Sequence, residues 1–141
     1  MFFFIDENDR DKAIKELVTL VVKQGLLQEG EEFYQAVIDR EKIVSTGIGM
    51  GVAIPHAKLE GCDRFFIAIG VHAKKGIKWK ALDGSPVQLI FLVGGPSNQQ
   101  KKYLKILSQI TTLVKNEKLR EKALHSRDPT EIIALFKGKH D

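Results

Sequence analysis

The 141-residue chain has a single cysteine, Cys62, so no intrachain disulfide framework can hold it together, and a reducing cytoplasm suits it. It has no apolar stretch of the length that spans a bilayer, which excludes membrane insertion. The opening Met1-Phe2-Phe3-Phe4-Ile5 is too short for a secretory signal and lacks a positive leader. There is no internal repeat, low-complexity tract or interdomain linker. Excess charge of one sign is small: 22 Lys+Arg against 18 Asp+Glu gives +4, spread along the chain. Such a balance favours acidic partners without implying nucleic acid, and no recognition motif accompanies the charge. What is left is one soluble, cytoplasmic domain with an ordinary core.

Helical periodicity runs from Arg10 to Gln24, with Ile14, Leu17, Val18 and Val21 on one stripe. Asp9 can cap its start and Gly25 can end it. A second helix is expected from Glu31 to about Lys42, carrying Phe33, Tyr34, Val37 and Ile38. Phe65 to His72 alternates as a strand, with Phe65, Ile67, Ile69 and Val71 on one face and Phe66, Ala68, Gly70 and His72 on the other. Val87 to Val93 is apolar on both faces, as a central strand should be. Ile77-Lys78-Trp79 reads as a short edge strand, Leu82 to Pro86 as a turn, and Gly94-Gly95-Pro96-Ser97 as a chain break. Ser97 and Gln100 have the form of a capping box before a helix bearing Tyr103, Ile106, Leu107, Ile110, Leu113 and Val114. Short helices near Glu117 to Leu124 and Pro129 to Phe136 finish the chain. The expected fold is α/β: a single domain, 1–141, with a mixed β-sheet of about five strands flanked by helices on both faces.

The chemistry concentrates in Ser45 to His56, STGIGMGVAIPH. Pro55 fixes its own φ and biases Ile54 to an extended conformation, so His56 is presented at a rigid corner. Imidazole suits nucleophilic and proton chemistry near neutral pH, provided one nitrogen is exposed while an acceptor holds the other. The plain alternative is a histidine that ends a strand and bonds a loop. Gly47, Gly49 and Gly51 are not a P-loop, which needs a following Gly-Lys-Ser/Thr, nor a dinucleotide fingerprint, which needs a helix at once. They read as a tight turn or bulge whose amides, with the Ser45 and Thr46 hydroxyls, can steady a phosphoryl group.

Arg40 falls in the last turn of the second helix, beside its apolar stripe. Two readings stand: a snorkelling arginine that suits the helix dipole, or a guanidinium aimed at phosphoryl oxygens. Cys62 reads as an ordinary thiol in a Gly-Cys-Asp turn, His125 and His140 as surface residues, and the Lys74 to Lys80 cluster around Trp79 as a solvated hairpin. His56, Cys62 and His72 lack zinc spacing; no metal or cofactor is expected.

Ser45 to Lys58 resembles the active-site signature of the enzyme IIA domains of the bacterial phosphoenolpyruvate-dependent sugar phosphotransferase system, in the fructose/mannitol class that includes the nitrogen-regulatory IIA proteins. A weaker likeness extends to about Phe136. The resemblance implies the same architecture, a phosphoryl group accepted on Nε2 of His56 from the histidine phosphocarrier protein, phosphoenolpyruvate as ultimate donor, and a IIB cysteine as recipient. It also implies that Arg40 is the phosphate-contacting arginine. The alternative within the family is a regulatory protein whose His56 phosphorylation state controls partner binding without sugar transport. The chain departs at Tyr103-Leu104-Lys105-Ile106-Leu107, where many relatives start this helix with a second histidine. A tyrosine can donate a hydrogen bond but cannot become a cation, and it can also simply pack. His72, on the strand face with Ala68 and Gly70, is a candidate to compensate, or else a satisfied sheet residue.

Overall fold

Asp9 opens the first helix: its carboxylate accepts from the Lys12 amide at 3.1 Å, and α1 runs Arg10–Lys23 with Ile14, Leu17, Val18 and Val21 buried. The computed structural model describes residues 2–60, 62, 64–72, 76–79 and 84–125. Helix α2, Gly30–Ile43, buries Phe33, Val37 and Ile38, close to the span its periodicity predicts. The described strands are β1 Phe2–Phe4, β2 Gly47–Gly49, β3 Val52–Ala53, β4 His56–Leu59, β5 Phe66–Val71 and β6 Leu89–Pro96. Helices α3, Gln100–Val114, and α4, Glu117–His125, follow.

The strands form one mixed six-stranded sheet in the order β1-β5-β6-β3-β2, with β4 also paired to β6. β5 is antiparallel to β6 and β2 to β3; the other pairs are parallel. One face packs Ala53, Ala57, Phe66, Ala68, Ile90 and Leu92 in the same core as the buried stripes of α1 and α2. The other sets Ile69, Val71, Leu89, Phe91 and Val93 against Tyr103, Ile110 and Val114 of α3 and Leu119 and Ala123 of α4. Every residue of β6 is buried, as its two-sided apolar run predicts.

The sheet has six strands where about five are expected. β1, β2 and β4 are the additions, β2 falling in the Gly-rich stretch read as a turn or bulge, while the Ile77 to Trp79 edge strand is not among the six. Three successive phenylalanines form β1 beside β5, and the Ile5 amide continues the pairing to the Val71 carbonyl at 2.8 Å. The expected break at Gly94 to Ser97 does not occur where predicted: Gly94 to Pro96 extend β6 and pair with Ala57 to Leu59. Glycine is needed there for close approach, because a Cβ on Gly94 would collide with the Phe66 ring and one on Gly95 with that of Phe65. The strand also starts later than Val87, since Val87 exchanges both backbone bonds with Ile77 and the Gln88 and Leu89 amides share the Gly51 carbonyl. Ile77 to Trp79 is reduced to isolated bridges, Ile77 to Val87 and Lys78 to Asp9, with Trp79 buried. The Ser97 capping box does not form either: α3 starts at Gln100 after Gln99, with no side-chain cap bond. Pro129 to Phe136, Lys74, Lys75, Lys80, Leu82, Asp83 and His140 lie outside the described residues.

Candidate active site

The site is built on one strand interrupted by proline. Val52 and Ala53 pair with Leu89 and Ile90, and His56 to Leu59 pair with Val93 to Pro96, in a single unbroken parallel register. Pro55 has no amide to give, but its carbonyl accepts from the Val93 amide at 3.0 Å. On the other side β2 covers only β3, turning through Gly49, Met50 and Gly51 at φ 92°, 61° and 75°. Glycine suits two of these left-handed positions; Met50 adopts the third. Beyond that turn β4 lies outside the cover of β2, and α2 packs against it. His56 therefore stands where the sheet edge, the end of α2 and the start of α3 converge.

Its ring is half-buried. Nδ1 lies 2.7 Å from the Ile54 carbonyl oxygen, and a carbonyl only accepts, so Nδ1 carries the proton. Nε2 then holds a lone pair, and among the described residues it has no hydrogen-bond partner. Burial pushes the pKa of His56 below its ordinary 6.5, aided by the charges of Arg40 and Lys58 and opposed by the Ile54 bond and Glu41. The ring is accordingly a neutral nucleophile at pH 7. The nitrogen that the sequence leaves undecided is fixed by the carbonyl two residues back.

The Tyr103 ring meets His56 edge-on, with centroids 5.8 Å apart, and is only 4% exposed. Burial raises its pKa, with Arg40 offsetting part of the effect, so the phenol keeps its proton. Phe65 lies 6.3 Å from the same ring. Lys58, two residues past His56 on the same strand face, places Nζ 5.3 Å from the Tyr103 centroid and donates to Oε1 of Gln100. The alternation of a strand through His56 would have found Lys58, had β4 been recognised as a strand. Arg40 is exposed on the last turn of α2, and among the described residues its guanidinium has no hydrogen bond or ion pair. Its charge acts on both His56 and Tyr103.

Three candidates are committed elsewhere. The Ser45 hydroxyl donates to the Trp79 carbonyl at 3.1 Å and accepts from the Gly47 amide at 3.1 Å. The Thr46 amide donates to Glu41 Oε2 at 3.1 Å, and its hydroxyl donates to Oε1. Ser45, Thr46 and Gly47 thus brace the turn, and their donors are spent before any phosphoryl oxygen arrives. His72 is also displaced. Its amide bonds the Gln88 carbonyl at one end of the β6 segment, whereas His56 pairs with Val93, so five positions, roughly 16 Å of extended chain, separate them. His72 is 1% exposed, with Nε2 bonded to Asn8 Oδ1 at 2.9 Å. Among the described residues no group of three or more histidine, cysteine or acidic side chains can hold a metal ion, and no helix is long and apolar enough to cross a membrane.

An edge-strand histidine with a carbonyl-clamped Nδ1, an unpartnered Nε2 among the described residues, and cations whose charge reaches the ring is an arrangement able to receive an anionic group. Residues 2–139 match the family model "Phosphoenolpyruvate-dependent sugar phosphotransferase system, EIIA 2", and the chain belongs to that family. It is 34% identical over 137 residues to the PTS system fructose-specific EIIABC component of Bacillus subtilis, an alignment that takes in 97% of this chain and 21% of that protein. The chain thus spans about a fifth of that relative's length. A nitrogen regulatory protein of Pseudomonas aeruginosa is 29% identical, covering 80% of this chain and 73% of its own. The crystal structure of the nitrogen regulatory protein IIA-Ntr from Neisseria meningitidis superposes with a TM-score of 0.88 at 25% identity, over 96% of this chain and 91% of that one.

Proposed function

We propose that the protein is a phosphohistidine carrier: Nε2 of His56 takes a phosphoryl group from the histidine phosphocarrier protein and passes it to a IIB cysteine. The observation that carries this reading is the Nδ1–H bond to the Ile54 carbonyl, which leaves the Nε2 lone pair as the reactive position. In the forward step that lone pair attacks phosphorus in line. The P–N bond to the donor imidazole breaks, and the donor ring keeps the electron pair. The proton of His56 stays on Nδ1, donated to the Ile54 carbonyl throughout, so the positive charge that develops on the ring is met by an acceptor. Little covalent work falls to the protein; alignment and neutralisation of oxygen charge dominate. Arg40 supplies a guanidinium with no other partner among the described residues, Lys58 a second cation, and Tyr103 a protonated hydroxyl. Transfer onward repeats the displacement with a cysteine thiolate as nucleophile. Function as a component of an intracellular relay also fits the single unpaired cysteine.

The test is incubation with phosphoenolpyruvate, the general phosphotransferase enzymes and labelled phosphate. The wild type acquires an acid-labile label and His56→Ala does not. An unlabelled wild type, or a labelled His56→Ala, rejects the reading.

The superposition on IIA-Ntr favours a second reading of the same chemistry, in which the phosphorylation state of His56 governs docking to a regulatory protein and no sugar moves. Passage of label to a IIB cysteine supports the first; retention of label, with partner affinity that depends on it, supports the second.

A further inference from the structure

Glu41 is the one acidic side chain among the described residues buried as deeply as the core, at 3% exposure, and the phosphoryl chemistry does not use it. No lysine or arginine among the described residues pairs with it. Three donors converge on it: the Thr46 hydroxyl on Oε1, and the Thr46 amide (3.1 Å) and the Trp79 indole N–H (3.2 Å) on Oε2. A charge taken out of water in this way is tolerated only when its lone pairs are met. What it anchors is the segment that leads to the nucleophile. The Thr46 carbonyl accepts from the Ile54 amide at 3.1 Å, and the carbonyl of the same Ile54 accepts from His56 Nδ1 at 2.7 Å. The Ser45 hydroxyl ties the same turn to the Trp79 carbonyl at 3.1 Å.

We infer that Glu41 is a positioning residue: through Thr46 and Ile54 it holds the carbonyl that fixes the tautomer and direction of the His56 ring, while standing next in sequence to Arg40 on α2. This rests on the carrier reading only for its consequence on transfer; the effect on the imidazole stands without it. The chemistry makes a sharp distinction between two substitutions. In Glu41→Gln the amide oxygen replaces Oε2 and keeps both N–H donors, while the amide nitrogen donates to the Thr46 hydroxyl, which turns to accept. In Glu41→Ala all three donors lose their acceptor.

The experiment reads the ring directly, by nitrogen-15 spectra of the His56 imidazole in the full chain. Wild type and Glu41→Gln show a protonated Nδ1 and a lone-pair Nε2. Glu41→Ala, folded by its amide spectrum, shows the two tautomers averaging, and its rate of acid-labile labelling falls by up to about a hundredfold, the cost of a misplaced reacting group. A merely structural role would lower the melting temperature of Glu41→Ala and leave the tautomer alone. Should Glu41→Ala fail to fold, Thr46→Val removes one donor from a nearly isosteric site, and Nδ1–H exchange with water quickens relative to wild type and Thr46→Ser. A folded Glu41→Ala with the wild-type imidazole signature and labelling rate overturns the inference, as does a Thr46→Val with unchanged exchange where Glu41→Ala is unfolded. If the wild type takes no label while Glu41→Ala loses the tautomer, the positioning role holds and the carrier reading falls.

Discussion

His56 and His72 meet one central segment five positions apart, His56 at Val93 within β6 and His72 at Gln88 just before it, and they differ in what each nitrogen meets. His56 gives Nδ1–H to a carbonyl of its own chain and leaves Nε2 without a partner among the described residues. His72 donates Nε2–H to Asn8 and, at 1% exposure, keeps Nδ1 in the interior, where it has no hydrogen-bond partner among the described residues. The first arrangement makes a nucleophile, since burial and two nearby cations keep the ring neutral and the backbone chooses the tautomer. The second closes off the ring, and no charged reactant can approach it. Both histidines sit at strand ends in the sequence; the difference is that Pro55 stops the edge from being covered, whereas His72 runs into the loop before α1.

The largest expected effect breaks this pair apart. His56→Ala abolishes acid-labile labelling, while His72→Asn retains it and instead loses about 1–3 kcal/mol of stability, because Asn8 is left with an ill-matched buried partner. Labelling assays beside urea melts of the two variants separate these outcomes. Reversed results would make His72 the acceptor and refute the contrast.

Next in size is the cation. Arg40→Ala removes the group proposed to meet phosphoryl oxygens, and the labelling rate drops about a hundredfold with little change in melting temperature, as for removal of one oxyanion donor. Arg40→Lys recovers only part of it, because an ammonium lacks the planar fork. A rate unchanged in Arg40→Ala would return the arginine to the plain helix-end reading that its position in the sequence also allows.

Tyr103 comes third. Tyr103→Phe keeps the ring that stands 5.8 Å from His56 and loses only the hydroxyl, so the rate falls by about tenfold, the worth of one hydrogen bond to a charged group. Tyr103→His puts there the residue that the resemblance to the family implies, a group that can become cationic. If Tyr103→Phe labels at the wild-type rate, the tyrosine is a packing residue and Lys58 alone takes the part of the second histidine.

These contrasts explain which parts of the molecule could be read from its residues. Local rules written into adjacent positions were legible: the Asp9 cap, the α1 stripe, the two-sided apolar run of β6, and the proline corner that presents His56. Elements that exist only through distant partners were not. β1 and β4 are short and gain their strand character from β5 and β6, and the glycines that looked like a break are the floor on which Phe65 and Phe66 lie. The same divide runs through the site. His56 and Arg40 are visible as residue types at a spacing. The Ser45 and Thr46 hydroxyls look like phosphate ligands in sequence, but a buried carboxylate and the carbonyl of a tryptophan more than thirty residues away claim them. Glu41 itself looks like any polar residue on a helix, and only its burial reveals it.

The smallest effects test the electrostatic half of the contrast and have opposite signs. Because burial, Arg40 and Lys58 hold the His56 pKa below 6.5, the neutral ring persists as pH falls through 6.5, and the labelling rate declines only at lower pH. Lys58→Ala removes a charge that disfavours the imidazolium, so the inflection moves up towards 6.5; Glu41→Gln removes one that favours it, so the inflection moves down. The Lys58 shift is the smaller, since that side chain is partly exposed and screened, whereas Glu41 acts from the buried end of α2. Folding stability has the matching sign. The unfolded ring binds its proton at the ordinary value and the folded ring below it, so the contribution of the neutral ring is fully present above pH 6.5 and is lost as pH falls through the depressed folded value. His56→Ala should therefore flatten the stability profile below pH 6.5, as urea melts at stepped pH would record. An unchanged slope in that window would mean that the clamp on Nδ1 fixes the direction of the ring without setting its charge.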